Sequence, residues 1–369
     1  MEFLMQKIFD GHNDLLLRLW MEKDFSGSLF LDGGKSTNKE TLETAKSLDI
    51  GELGHIDYCR AQDGGLSGGF FATFVPDQNF TERKSKTDFP KRTSDQLDQK
   101  YALKTTVEMM DIALKMTKLE PEKVKLLRSK NEIELLSFSK EFSAMAVLLH
   151  LEGAEAISED LNELEELYDN GLRSLGPVWS RTNIFGYGVP FDFPGSPNVG
   201  PGLTDVGKVL IKECNAMGIL VDLSHMNEAG FWDIAKISTK PLVATHSNVH
   251  SLSSSPRNLT SKQLDAIAES DGVVGLNFAT SFLREDGAKN RNTSAIDMIK
   301  HLDNLLEKLG EGGVALGSDF DGAPIPQFIG DCSGLPNLVQ AMKDAGYGSD
   351  LVDKICYKNW YDVLTKILK

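Results

Sequence analysis

The feature that most constrains this chain is a recurrence of short, almost uninterrupted apolar runs, each closing on a polar or glycine-containing turn. In order they are KIFDGHND ending near Asp14, GGFFATFVP near Pro76, AMAVLLHLEG near Gly153, LRSLGPVW near Trp179, GILVDLSH at His225, PLVATHSN near Asn248, GVVGLNFA near Ala279 and GVALGSDFDG near Gly322. Unbroken runs, rather than alternating apolar and polar residues, are what parallel strands covered on both faces require. Helical patterns lie between most of them, over 99–118, 203–217 with Thr204 as cap, 260–269, 294–309, 335–345 and 354–368. Eight strands alternating with helices predict an α/β fold of the (β/α)8 TIM-barrel type. The competing open doubly wound sheet announces itself by a glycine-rich phosphate-binding first turn, whereas this first run closes on GHND. No repeat of fixed period divides the chain, so one barrel domain is expected over residues 1–369. Two polar stretches near 23–50 and 77–96 break the pattern and read as surface loops, with a lid over the barrel mouth as the alternative.

The formal net charge is -15, which repels phosphate backbones and anionic bilayers; no nucleic-acid partner is expected. The four cysteines, Cys59, Cys214, Cys332 and Cys356, form no C-x-x-C pair and are too sparse for a disulfide framework, as suits a reducing compartment. The first residues, MEFLMQKIFDGHND, lack the basic and apolar regions of a signal peptide. No apolar run reaches membrane-spanning length, and KNWYDVLTKILK carries no lipid-anchor signal. A cytoplasmic protein without a membrane anchor is expected.

In such barrels the reactive groups sit at the C-terminal ends of the strands. The chain has seven histidines, and three of them, His12, His225 and His246, close the first, fifth and sixth runs. Glu152 and Asp319 stand near the ends of the third and eighth runs. His12 and Asp14 form an H-x-D pair, and residues two apart on a strand face the same side, within reach of one cation. Glu152 emerges from an apolar strand with two oxygens that can bridge two cations. Alone, each histidine is as well read as a hydrogen-bonded core residue; five such groups converging on one mouth are not. The count suggests two metals, His12 and Asp14 on one, His225 and His246 on the other, with Glu152 between them. Imidazole and carboxylate without thiolate suit zinc, with manganese, iron or cobalt also compatible.

These motifs resemble the membrane dipeptidase (renal dipeptidase) family of zinc metallopeptidases, on an amidohydrolase-like barrel. The matching residues are DGHND at 10–14, EGAEAI at 152–157, GLRSLGPVW at 171–179, DLSH at 222–225, ATHSN at 244–248, RN at 257–258 and GSDFDG at 317–322, in order along nearly the whole chain. The resemblance implies zinc ligation by His12, Asp14, Glu152, His225 and His246. It implies that Arg257 binds the substrate's terminal carboxylate, for which a planar guanidinium is suited. It also implies that Asp319 holds the attacking water and passes its proton to the leaving amine. Asp321 reads as structural, in a turn with backbone hydrogen bonds of its own to make.

One position departs from the family pattern. Where those relatives carry a histidine at the end of the fourth strand, thought to steady the intermediate's oxygen, this chain has Trp179. Either the Trp179 indole donates in its place, or Arg181 does, or the metals act alone; Trp179 merely shaping the pocket is the bland alternative. His150 reads as lying beneath the metals, His250 as a group that could orient the ligands, and His55 and His301 as loop and helix-surface residues. The activity implied is that of a two-zinc dipeptidase that tolerates a D-residue at the C-terminal position and uses hydroxide held between the metals. The alternative is a related barrel amidohydrolase removing an N-acyl group from D-amino acids. The implied partner is a small dipeptide, and a homodimer is compatible with the resemblance.

Overall fold

The computed structural model describes residues 5–34, 54–77, 96–138 and 144–369, with isolated positions at 39, 41 and 43. Nine strands are described: β1 (Ile8–Asn13), β2 (Leu66–Phe74), β3 (Val124–Leu126), β4 (Met145–Glu152), β5 (Leu172–Gly176), β6 (Leu220–Val221), β7 (Val243–Ala244), β8 (Val273–Asn277) and β9 (Val314–Gly317). All eight expected runs contain a strand; β3 is an addition, a short strand beside β4. Every named ladder is parallel. One curled sheet runs β1-β2-β4-β5-β6 and a second runs β7-β8-β9. Between them the pairing thins to single parallel bridges, Asp222 to Val243 and Asn13 to Phe320.

The expected helices form, and their caps explain where they start. Thr204 accepts from the Gly207 amide ahead of the helix Asp205–Met217. Thr260 with Gln263, and Ser294 with Asp297, form capping boxes ahead of Ser261–Glu269 and Ala295–Leu309. The last helix departs from expectation: it opens with a π turn at Lys354–Lys358 before Asn359–Ile367. Among the described residues, no helix is long and apolar enough to cross a membrane.

Buried side chains divide by strand face. Ile8, Phe71, Val147, Leu149 and Val274 pack outward into the helices. Phe9, Phe70, Leu148, Leu220, Val243 and Ala315 face inward and meet Trp360 and Tyr361 of the last helix, which fill the end of the strand array opposite the site. Gly11 permits that approach: a Cβ there would lie 2.4 Å from the Thr245 carbonyl and 2.5 Å from the Trp360 ring. Most of the 23–50 stretch and nearly all of the 77–96 stretch, expected as loops, lie outside the described residues. The described part of the first holds a short helix, Ser28–Leu31, that buries Phe30 and Leu31.

Candidate metal centre

On β4 the inward residues climb Ala146, Leu148, His150, Glu152, so the strand's own period delivers Glu152 to the mouth with His150 beneath it. On β1 that period is interrupted. Phe9 packs in the inner cluster, which by strict alternation would turn His12 away. The β1–β2 register shifts between Asp10 and Asn13, and there the chain re-aims. Asp14 lies beyond β1, as the residue preceding the helix Leu15–Met21. The pairing of His12 with Asp14 therefore rests on an irregular strand end rather than on two-residue alternation. His225 and Asp319 carry positive φ angles of 68° and 59°, as does Asp321 at 65°, backbone states that non-glycine residues adopt at cost and that cluster at functional sites.

These elements bring the expected groups together. Glu152 Oε1 lies 3.1 Å from His225 Nε2, 3.5 Å from His246 Nε2 and 3.7 Å from His12 Nε2. His12 Nε2 is 3.5 Å from Asp14 Oδ2, and the His12 ring stacks on His246 at 3.8 Å. Two overlapping sets have ligand atoms close enough for one cation: His12, Glu152 and His246, and His12, Asp14 and Asp319. The grouping differs from a division of His12 and Asp14 from His225 and His246, because His12 sits at the centre of both sets.

The hydrogen bonds behind the ligands decide which nitrogen faces the cluster. Asp222 accepts from the Ser224 and Thr245 amides and, at 2.6 Å, from the Thr245 hydroxyl. That hydroxyl, its proton given to Asp222, can only accept from His246 Nδ1 at 2.8 Å. The His246 proton therefore sits on Nδ1 and a lone pair on Nε2 faces the cluster. Ser180 Oγ shares a hydrogen bond with His225 Nδ1 at 2.7 Å, which leaves Nε2 of that ring turned to the cluster. His225 and His246 then confront each other through Nε2 at 3.2 Å. His12 is fully buried, and neither of its ring nitrogens has a hydrogen-bond partner among the described residues. Lone pairs, carboxylate oxygens and an orphaned imidazole gathered in a buried space are unfavourable alone and fit a cation.

Electrostatics point the same way. Burial pushes the Glu152 carboxyl up to about 8 and also raises Asp14. Burial opposes charge on His12, but Glu152, Asp14 and Asp319 outweigh it and lift the imidazole to about 10. Burial, reinforced by Arg257 and His12, lowers His225 and His246, which keeps them in the neutral form that ligates metals. The cluster draws in positive charge, which a divalent cation would supply.

The remaining expected residues fall as follows. Asp319 Oδ2 accepts from Asn277 Nδ2 at 2.9 Å, and its backbone amide donates to the His12 carbonyl at 3.0 Å. Gly322 packs against it: a Cβ there would stand 2.1 Å from Asp14 Oδ2 and 2.6 Å from Asp319 Oδ1. Arg257 is buried, donates to the His246 carbonyl at 3.1 Å, and is lowered to about 10 by burial despite Asp319 and Glu152 nearby. Its Nε has no partner among the described residues. Trp179 lies beyond the end of β5, between Phe74 at 4.9 Å and Phe191 at 5.4 Å, with the His225 ring at 5.8 Å. Arg181 is tied to Glu155 at 2.6 Å and to the Val75 carbonyl at 2.9 Å.

Two histidine expectations change. His301 is 1% exposed, not at the helix surface, while His55 lies in a loop as expected and is buried there. His55 Nδ1 accepts from the Asp321 amide at 2.9 Å, while Asp321 Oδ1 accepts from the Gly54 and His55 amides, so Asp321 does stitch a turn. His250 does not reach the cluster; its Nε2 bonds to the Gly195 carbonyl at 2.8 Å. His150 sits beneath the cluster, 2.9 Å from Ser174 Oγ and edge-on to His12. Sequence reading missed Ser180, Thr245 and Asp222, which orient the imidazoles, although Asp222 and Thr245 lie inside the DLSH and ATHSN motifs.

The chain matches the sequence family described as membrane dipeptidase (peptidase family M19) over residues 3–369. It superposes on the crystal structure of dipeptidase AC, a metallopeptidase of family M19, with TM-score 0.88 and 43% identity, covering 99% of each chain. A metallopeptidase from Rhodobacter sphaeroides, liganded with a phosphinate mimic of the dipeptide L-Ala-D-Ala, aligns with TM-score 0.87 and 42% identity over 98% of this chain and 99% of that one. Dipeptidase tcpJ of Claviceps purpurea (strain 20.1) is 24% identical over 361 residues, 97% of this chain and 76% of its own. With its carboxylates and imidazoles gathered in one buried cluster, the chain belongs to the membrane dipeptidase family, peptidase family M19, and is a metal-dependent dipeptidase.

Proposed function

We propose that this protein is a two-zinc dipeptidase whose metals are held by His12, Asp14, Glu152, His225 and His246, and which accepts a D-residue at the C-terminal position of its substrate. The observation that carries the reading is Glu152 Oε1, within 3.1–3.7 Å of three imidazole nitrogens, with His12 shared between two candidate ligand sets. Bound there, two divalent ions would lower the pKa of a water and offer positive charge to the scissile carbonyl oxygen.

The protein's own residues do the rest. Arg257 receives the dipeptide's terminal carboxylate through its free Nε, which limits substrates to very short peptides. Asp319, with Oδ2 fixed by Asn277, holds the attacking water and carries its proton to the leaving amine. The Arg181 guanidinium is engaged by Glu155 and does not serve the oxyanion, while Trp179, packed between Phe74 and Phe191, shapes the pocket. The bridges at Asp222–Val243 and Asn13–Phe320 support a ring closed as one (β/α)8 barrel domain. The C-terminal D-residue is suggested by the L-Ala-D-Ala mimic bound by the Rhodobacter sphaeroides relative. Four unpaired cysteines are consistent with a cytoplasmic enzyme.

A hydrolysis screen of zinc-loaded protein tests this. L,L- and L,D-dipeptides are set beside N-acetyl-D-amino acids, each with a chelated control. Chelator-sensitive cleavage of L,D-dipeptides is expected. Cleavage of the acylated compounds alone would instead make the protein a D-amino-acid deacylase on the same scaffold.

A further inference from the structure

We infer that Phe191 and Phe282 form an aromatic wall beside Arg257 that selects dipeptides with a bulky apolar side chain on the C-terminal residue; this rests on the dipeptidase reading above. The wall starts at the expected carboxylate site, where Arg257 Cζ stands 5.4 Å from the Phe282 ring. Phe282 is parallel to Phe191, 8° between planes at 6.4 Å, and Phe191 meets the His225 ring edge-on at 6.3 Å. Trp179 extends the surface 5.4 Å beyond Phe191. A substrate whose carboxylate lies on Arg257 and whose scissile bond lies at His225 therefore passes its C-terminal side chain across Phe282 and Phe191.

Phe191 is 44% exposed, an unusual state for a large apolar side chain in contact with a buried polar cluster. Apolar surface left open beside a buried polar cluster is surface suited to be covered by a ligand. The loop that carries it is pinned at both ends. Gly188 bridges Met226, and the Val189 amide donates to the His225 carbonyl at 2.9 Å. At the far end the Gly195 amide donates to Ser254 O at 2.8 Å and its carbonyl takes the His250 bond. Phe282 is fixed by the residue next to Arg257, since Asn258 Nδ2 donates to the Phe282 carbonyl at 2.8 Å. The backbone that carries both rings is thus tied to the cluster, which reduces the ordering that binding must supply.

The test uses the zinc-loaded full chain and two substrate series, L-Ala-D-X and L-X-D-Ala, with X as Ala, Leu or Phe. Wild type is expected to favour Leu and Phe in the first series. Phe191→Ala should lower the ratio of kcat/KM for L-Ala-D-Leu over L-Ala-D-Ala about tenfold, and Phe191→Leu should restore part of it. An equal fall on every substrate, or a change confined to the second series, overturns the inference. If wild type cleaves no dipeptide, the dipeptidase reading itself has failed. Calorimetric binding of N-acetyl-D-leucine against N-acetyl-D-alanine then decides the wall: a preference for leucine that Phe191→Ala removes supports it, and equal affinities refute it.

Discussion

At the scale of single residues, Thr245 decides which nitrogen of His246 meets the cluster. Its hydroxyl gives its one proton to Asp222 and accepts from Nδ1, so Nε2 is left with a lone pair. Thr245→Val keeps the shape and removes both bonds, leaving the imidazole free to choose the other tautomer and leaving Asp222 Oδ2 short of a donor. Zinc affinity, measured by competition with a chromogenic chelator, should fall roughly 10–100-fold, the range seen when an outer hydrogen bond to a ligand is lost. Unchanged affinity would mean that the metal alone orients His246. Sequence reading found the ligand candidates because their residue types are rare and stand where strands end. It missed the hydroxyls behind them because serine and threonine are common and their role depends on a partner across the fold, as between Ser180 and His225.

At the scale of the element, the helix Ala295–Leu309 buries Met298, His301, Leu302 and Leu305. Their spacing is that of an apolar stripe, so the signal that His301 faces inward was present in the pattern. Its Nδ1 accepts from the Val249 amide at 3.1 Å, which puts the proton on Nε2, and Nε2 donates to the Leu283 carbonyl at 3.0 Å. Burial lowers this imidazole to about 4. The unfolded chain, near the ordinary value of about 6.5, binds the proton first. The contribution of neutral His301 is therefore full above pH 6.5 and is lost as pH falls toward 4, by at most ~3 kcal/mol. The difference in unfolding free energy between wild type and His301→Asn, taken from urea titrations, should shrink from pH 7 to pH 4.5. A difference independent of pH would show that His301 does not titrate this way.

At the scale of the whole molecule, the last helix closes the inner core. Trp360 is fully buried among Phe9, Phe70, Leu220 and Ala315, and its indole donates to the Leu316 carbonyl at 2.9 Å. It meets β1, β2, β8 and β9 at once, so the strands share one packed plug although the ladders thin between the two sheets. Trp360→Ala should destabilise the protein by about 3–5 kcal/mol, read as a lower urea midpoint. Trp360→Phe should cost less, since it keeps the ring and loses one hydrogen bond. A midpoint unmoved by the alanine variant would show that the strands hold together without the plug.

What the amino-acid order determined by itself is local: where strands and helices run, which helices carry a cap, and which rare side chains end the strands. Those follow from periodicity and residue type, which act over a few residues. The tertiary structure decided what depends on partners far apart in the chain. It re-aimed His12 where the β1–β2 register slips, put Asp14 past the strand, gave Arg181 to Glu155, buried the loop residue His55, and set Phe191 beside Phe282. Each of these is a contact between segments whose separation carries no periodic signal, so only the packed fold could select it.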